Sequence, residues 1–398
     1  MGLHALRRPA LLLLVSLVSL VTATGTSGAA AVPGTSPVVA VGQSPLAVPG
    51  EYIVTLAPDA SPGDVLTKLD VEPMFTYGTA LRGFAARLTP AQLRLVRALP
   101  GVGAIEENGR VGLDTTEGRA RADTQAESWG LDRIDQRHLP LDGRFGTVGT
   151  GEGVTAYILD TGIETAHEEF AGRATTGFDA VGDGRDGQDC HLHGTHVAGT
   201  VGGSTYGVAP SASLVAVRVL DCQGEGTVAQ TLAGLDWIAA DARGPAVVNA
   251  SIGEPASEAL DNAVNATAGL GVLPVVSAGN SAEDACGHSP ARAENALTVG
   301  AVDRHDEQAD FSNFGPCLTL YAPGVSITSA QLGGGSRTLS GTSMAAPHVA
   351  GAAALLLEQA PQSSPREVVR RLTAAATEGA VTSPGVGSPD RLLYTGGL

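Results

Sequence analysis

Residues 154–162 read VTAYILDTG, and this stretch decides the architecture. Val154–Asp160 is a short run rich in β-formers that ends on a carboxylate, with Thr161-Gly162 as a turn signal behind it. In open α/β sheets, sites form beyond the carboxyl ends of strands, so an acid there can serve chemistry. Similar runs recur at Leu214–Leu220, Ala246–Asn249 and Val272–Ser277. Helical patterns separate them. Thr227-Val-Ala-Gln230 is a capping box that opens a helix to about Asp241. Glu258–Ala268 and Ser343–Gln359 follow, and Ser364-Pro-Arg-Glu367 caps a further helix. This alternation predicts an α/β fold: a doubly wound, mostly parallel sheet with helices on both faces.

Upstream, Gly50–Leu113 reads as a smaller unit. Tyr52–Leu56 (YIVTL), Gly83–Leu88 (GFAARL) and Val102–Glu106 are strand patterns. Thr89-Pro-Ala-Gln92 is a capping box with proline at the first helical position, predicting a helix to about Ala98. The order suits a small ferredoxin-like α+β domain. Between the units, Asp114–Ser128 (DTTEGRARADTQAES) lacks apolar periodicity and reads as an exposed linker, where proteases cut. At the N-terminus, Arg7 and Arg8 precede the apolar run Ala10–Val21 and the small residues Ala29-Ala30-Ala31. That is the order of a secretory signal, expected over 1–31, and the run is short for a membrane span. A released, extracellular product is expected.

The 398 residues are 43% hydrophobic, enough for two domains and one large core. A formal charge of -17 argues against nucleic acid or an anionic membrane as partner. Cys190, Cys222, Cys286 and Cys317 are an even set in an exported chain and read as disulfides, with three connectivities open. Pairing neighbours closes loops of about thirty residues, each worth roughly 3–4 kcal/mol on a chain-entropy account. No Cys-x-x-Cys pair supports a metal site instead.

Two further stretches carry candidate chemistry. Cys190–Gly199 (CHLHGTHVAG) holds His191, His193 and His196. His193 stands where a helix begins, aimed into the crevice. His196 is nearly one turn on and reads as a packing or capping residue. A zinc nest would need a closing acidic ligand. Ser340–Gly351 (SGTSMAAPHVAG) turns at Gly341-Thr342 and opens a helix at Ser343, with Pro347 expected in the first turn. A serine at a helix start has backbone N–H groups and the helix dipole aimed at any oxyanion formed on it, although many such serines only cap.

Asp160, His193 and Ser343 thus occur in the order Asp…His…Ser. With DTG, HGTHVAG and GTSMAAPHVAG, and with VVNASIG, SAGN and FSNFGPC, the chain resembles subtilisin-like serine peptidases from Trp129 to Tyr394. The likeness is to the proteinase K branch, particularly aqualysin-type enzymes, whose two cysteine pairs have this spacing. The upstream unit resembles their inhibitory propeptide. The resemblance implies Ser343 as nucleophile, His193 as base, Asp160 as its orienting acid, and Asn280 with the Ser343 N–H as oxyanion donors. It implies an extended peptide between Gly224-Glu225-Gly226 and Ser251-Ile252-Gly253, lined by Ser277-Ala278-Gly279. Such strand addition reads backbone and implies broad specificity for polypeptides.

The resemblance also implies a monomeric preproprotein, with a propeptide over 32–121 that assists folding and blocks the cleft. Cleavage is expected near Ala122, leaving a catalytic domain 122–398 that needs no cofactor for catalysis. Structural calcium is a possibility of the family. One family site matches Asn295, Leu297 and Thr319, where threonine lacks the needed charge. Another matches DRIDQ, so Asp132, Asp135, Gln136 and Asp142 are candidate oxygen ligands, or else caps on a short helix. Asp183–Asp189 (DGRDGQD) reads as a flexible acidic loop. Two departures stand out. His191-Leu192 replaces a small pair, often Asn-Gly, and reshapes that wall. Glu254-Pro255 replaces a glycine pair, as a solvated turn or as a rim acid that favours basic P1 side chains. Asn249-Ala-Ser251 and Asn265-Ala-Thr267 are glycosylation sequons by pattern, the first inside a strand.

Overall fold

The computed structural model describes Gly2, residues 38–113 and residues 128–398. The expected signal 1–31, the linker 114–127 and the processing point near Ala122 lie outside the described residues. Among the described residues, no helix is long and apolar enough to cross a membrane.

The strand Thr155–Asp160 is fully hydrogen-bonded on both edges, parallel to Ser213–Arg218 on one side and to Ala246–Ala250 on the other. Outward from there, Ala174–Asp179 closes one edge; Val272–Ser277, Leu297–Val302 and Leu320–Pro323 extend the other, all parallel. The short pair Thr377–Glu378 and Arg391–Leu392 ends that side, its two strands antiparallel to each other. The chain leaves Thr155–Asp160 toward one edge and later crosses to the other, so Asp160 ends the strand at the switch point.

Side-chain alternation sorts the two faces. Ala156 and Ile158 point into one core, with helices His193–Gly202, Thr342–Gln359 and Pro365–Ala375. Tyr157 and Leu159 point into the other, with helices Val228–Asp241 and Glu258–Gly269. A period of two along one strand, apolar on both sides, is what a sheet covered on both faces requires.

The upstream domain is a sheet in the order Val41–Gly42, Val102–Gly112, Ala47–Leu56, Gly83–Arg87, Pro73–Tyr77. Helix Pro90–Val96 has the full Thr89/Gln92 capping box and ends two residues before the expected Ala98. A second helix, Pro62–Leu69, and the strand Pro73–Tyr77 were not read from sequence. The helix has its own signal, Ser61 accepting from Asp64 N with proline at the first position, but lacks the Glu or Gln of a capping box. Val54, Phe84 and Ile105 face these helices, while Ile53, Tyr77, Ala85 and Val111 pack on helices Val228–Asp241 and Glu258–Gly269 of the large domain.

Carboxylates and amides finish that junction. Asp236 accepts Thr79 N at 2.6 Å, Ala80 N at 2.7 Å and Gly78 N at 3.0 Å. Asp236 belongs to helix Val228–Asp241; Asn108 caps the start of that helix through Ala229 N at 3.0 Å and is itself tied to Glu51 at 2.8 Å. Glu106 accepts Ala259 N at 2.8 Å and Ser257 Oγ at 2.9 Å, so it finishes the start of helix Glu258–Gly269; burial pushes its carboxyl above the ordinary value.

Candidate active site

Asp160 is completely buried at its strand end and His193 is nearly so. The His193 ring faces the carboxylate squarely: Nδ1 lies 2.8 Å from Oδ1 and 2.9 Å from Oδ2. Thr161 N also donates to Oδ1, at 2.7 Å. A buried carboxylate at that nitrogen fixes the tautomer with Nδ1 protonated and leaves Nε2 as an acceptor.

The helix that carries His193 starts at His193 itself. Its start is built by Asp189, a buried acid. Asp189 Oδ1 accepts His191 N at 2.8 Å, Thr161 Oγ1 at 2.9 Å and Leu192 N at 3.1 Å, while Oδ2 accepts Thr195 Oγ1 at 2.6 Å and Thr195 N at 3.0 Å. Thr161 Oγ1 in turn accepts Gly194 N at 2.9 Å. The loop Asp183–Asp189 is therefore not the flexible acidic loop expected. Asp189 closes the helix start, and Asp183 pairs with the buried Arg218 at 2.6 and 2.8 Å, which holds its carboxyl down at about 2. Arg218 also lies 3.4 Å from Cys190 Sγ. Leu192, before His193, has φ +103°, a conformation that suits glycine.

Helix Thr342–Gln359 begins one residue ahead of Ser343, so Pro347 falls in the second turn rather than the first. There its missing N–H leaves the Ser343 carbonyl without its helical donor. Ser251 Oγ supplies one at 3.1 Å, and is held for the task by Asn249 Nδ2 at 2.8 Å. Ser343 Oγ reaches back to Ser251 O at 3.3 Å. Asn249 is buried in its strand, as its sequon position suggested.

Asn280 Oδ1 accepts Thr342 N at 2.8 Å and Thr342 Oγ1 at 2.9 Å. A backbone N–H must meet an oxygen, so these bonds fix which way the amide points. Its Nδ2 then borders the space beside Gly341: a side-chain carbon placed on Gly341 would meet Asn280 Nδ2 at 3.3 Å and Ser343 N at 3.7 Å. Two nitrogens thus flank one small volume next to the serine. Asn313, which the sequence reading did not single out, holds this loop from behind. Its Oδ1 accepts Ser281 N and Glu283 N, each at 3.0 Å, and its Nδ2 donates to Ala278 O at 2.9 Å. Gly279 N donates to Thr342 Oγ1 at 3.2 Å, and Ser277 Oγ to Ile252 O at 3.4 Å.

The expected peptide-binding segments flank a strand of the chain's own upstream domain. Arg110, Val111 and Gly112 pair antiparallel with Thr227, Gly226 and Glu225. Gly112 makes an antiparallel bridge to Gly253 on the other side. Glu254-Pro255 is not a solvated turn; it forms a two-residue strand with His288–Ser289. The Glu254 side chain lies outside the described residues.

Cysteines pair as neighbours, Cys190–Cys222 and Cys286–Cys317. His196 spans to Ile327 O at 3.2 Å and Arg337 O at 3.0 Å, a packing role. The candidate calcium ligands meet around one loop but serve its amides. Asp132 accepts Asp142 N at 3.2 Å and Gly143 N at 2.9 Å, Gln136 Oε1 accepts Asp142 N at 3.2 Å, and Asp135 accepts Gly146 N at 2.8 Å. Burial first, then the Asp132 and Asp142 charges, raise the Asp135 carboxyl. Oxygen donors suit a hard cation, but among the described residues no three acidic, histidine or cysteine groups converge as ligands. The set's oxygens face the loop's amides, and no calcium site is shown among the described residues. Thr319 Oγ1 accepts Thr298 N at 3.2 Å.

Comparison with known proteins agrees with this geometry. Residues 151–391 match the subtilase family model, and residues 67–114 match the peptidase inhibitor I9 model. The chain is 46% identical over 383 residues to an extracellular serine proteinase of a Thermus species, covering 89% of this chain and 91% of that one. It is 47% identical over 330 residues to alkaline serine exoprotease A of Vibrio alginolyticus, covering 83% of this chain but 61% of that longer protein. A crystal structure of a cold-adapted subtilisin-like serine proteinase superposes with a TM-score of 0.67 at 48% identity, covering 68% of this chain and 99% of that one.

Proposed function

The chain belongs to the subtilase family of serine peptidases, and from that premise we propose that it hydrolyses peptide bonds of polypeptides by an acyl-enzyme route. Ser343 is the nucleophile, His193 the general base and then acid, and Asp160 the carboxylate that orients and stabilises the imidazolium. The observation that carries the reading is the buried Asp160–His193 contact at 2.8 Å, made at the strand end beside the helix that presents Ser343.

Ser343 Oγ attacks the scissile carbonyl carbon and passes its proton to His193 Nε2. The oxyanion that forms occupies the volume between Asn280 Nδ2 and Ser343 N, where preorganised donors cost no reorganisation. His193 then protonates the leaving amine, and water repeats the sequence in reverse on the ester. Substrate enters as a strand between Gly224–Gly226 and Ser251–Gly253, with Ser277–Gly279 lining the cleft. Backbone pairing of this kind supports broad specificity.

The propeptide, expected over 32–121, blocks its own enzyme by occupying that same edge, as Arg110–Gly112 does here. The catalytic domain is 122–398, and residues 1–31 direct export. A fluorophosphonate probe tests the assignment: Ser343 of the matured chain carries the label, and Ser343→Ala carries none. Label on another residue, or none on a folded, matured chain, removes it.

A further inference from the structure

The wall of the cleft that pairs with the upstream strand is finished differently on its two faces. Val111 stands opposite Gly226 and points inward: it is buried, in the apolar cluster that also holds Leu220, Val228 and Ile252. A side-chain carbon on Gly226 would run into the Val219 carbonyl, so the wall is closed there. Successive residues of a strand face opposite sides, so the outward positions are Arg110 and Gly112, across from Thr227 and Glu225. Arg110 and Glu225 are both exposed.

Glu225 is presented on a fixed turn. Asp221 Oδ1 accepts Gln223 N at 2.8 Å and Glu225 N at 3.0 Å, Glu225 O accepts Asp221 N at 2.9 Å, and Cys222 ties the turn to Cys190. Among the described residues, the Glu225 carboxylate itself takes no hydrogen bond and no ion pair. The strand opposite offers it nothing, because Gly112 has no side chain. Room for one exists. A side-chain carbon on Gly112 would have Gly224 O at 3.8 Å as its only neighbour within 4 Å. Beyond it, Glu225, Arg110, Ser281 and His288 border a hollow of about 290 Å³. His288 is engaged by Glu283 at 3.1 Å, so it is not a free cation for Glu225.

Directly opposed residues of an antiparallel pair have Cβ atoms roughly 4.5–5.5 Å apart, where opposite charges attract and like charges repel. We propose that the Glu225 side chain determines specificity: among peptides bound as a strand along this wall, it favours arginine or lysine in the place that Gly112 occupies and disfavours glutamate there. This names a substrate class for the site and rests on the peptidase reading above. Arginine gains most, since its planar fork matches a carboxylate. Backbone pairing still admits other sequences, so the effect is a bias laid over broad specificity. Val111's place, one residue earlier, faces the apolar cluster and rejects charge of either sign.

The test uses the matured chain and fluorogenic peptides that differ at a single residue, with arginine, glutamine or glutamate placed in turn at each position before the cut bond. At low salt one position shows arginine over glutamate by roughly three- to tenfold in kcat/KM, the size of one exposed attraction plus one exposed repulsion. The position just before it accepts neither charge, which identifies the two as the places of Gly112 and Val111. The arginine-to-glutamate ratio is read within each enzyme, so a general change in rate cancels. Glu225→Gln removes the preference, Glu225→Lys inverts it, and salt at about 1 M, where the screening length falls to about 3 Å, erases it in the parent chain. A preference that survives Glu225→Gln, or none at any position, overturns the proposal. Ser343→Ala separates the two levels. Ser343-dependent cleavage that is blind to residue 225 refutes only the role of Glu225, whereas undiminished cleavage by Ser343→Ala refutes the peptidase reading itself.

Discussion

Helix His193–Gly202 begins inside a closed ring of hydrogen bonds, whereas helix Thr342–Gln359 begins beside a space flanked by two nitrogens. At the first, Asp189 and Thr161 take the N–H groups of His191, Leu192, Gly194 and Thr195. At the second, Asn280 Oδ1 takes Thr342 N and Thr342 Oγ1, and its amide nitrogen lies with Ser343 N beside Gly341. On the proposed mechanism both helices deliver a reacting side chain. The base needs a fixed ring, so its helix start is saturated. On the same mechanism the nucleophile needs donors for a charge that exists only during reaction, and Asn280 Nδ2 and Ser343 N border the space where it would form.

Breaking the second arrangement has the largest effect. Asn280→Asp keeps an oxygen for Thr342 N and removes the Nδ2 donor. We expect kcat to fall roughly 10²–10³-fold with KM and melting temperature little changed. If melting falls as far as activity does, Asn280 is a cap and not an oxyanion donor. Breaking the first arrangement costs stability instead. Asp189→Ala strands two hydroxyls and three backbone N–H groups around a buried site, an expected loss of about 3 kcal/mol by chemical denaturation. A loss under about 1 kcal/mol, the size of a single surface interaction, would mean water replaces the carboxylate.

Each helix also buries a histidine outside the proposed triad, His196 in the first and His348 in the second, and these sharpen the comparison by pH. Burial holds His196 down at about 3 and His348 at about 4, against an ordinary 6.5. Both are neutral in the native state, while the unfolded chain takes up their protons below about 6.5. Their contribution is therefore complete above that pH and is lost as pH falls toward 4. His348→Gln should flatten the fall in melting temperature between pH 7 and 4. An unchanged slope would assign acid sensitivity to the carboxylates alone.

How far this could be read in advance follows from the same contrast. Asp160, His193 and Ser343 sit at a strand end and two helix starts, and such places leave local marks: a β-rich run closed by an acid, a glycine after the base, a Gly-Thr turn before the serine. Asp189 left none. Its partners lie up to 28 residues away in the chain, and DGRDGQD has no periodicity, so it read as a solvated loop. Asn313 escaped for the same reason, since its loop contacts are 30 or more residues distant. Pro347 was placed in the first turn because the helix starts one residue earlier than read, and the compensating Ser251 hydroxyl comes from the segment after a distant strand. Helix Pro62–Leu69 was missed because Asp64 stands where the capping box that marked Pro90–Val96 has its glutamine. Long-range satisfaction of polar groups is what a single sequence hides.

The smallest expected effect concerns the one residue at the saturated end that fits its backbone poorly. Leu192 holds φ +103° because its N–H goes to Asp189 at 3.1 Å and its carbonyl receives His196 N at 3.0 Å. A residue with a Cβ loses roughly 1–2 kcal/mol in left-handed backbone, and glycine recovers it against a smaller entropic cost of roughly 0.4–1 kcal/mol, here opposed by loss of the half-buried leucine side chain. Leu192→Ala loses the same contacts and keeps the strain. Glycine should therefore be the more stable of the two variants by about 1 kcal/mol, with kcat unchanged in both, because Asp189 rather than residue 192 sets the helix start. Equal melting temperatures for the two would show the backbone there to be relaxed. A drop in kcat for glycine alone would show that leucine stiffens the approach to His193, and the saturated end would then owe part of its rigidity to a strained residue and not only to its hydrogen bonds.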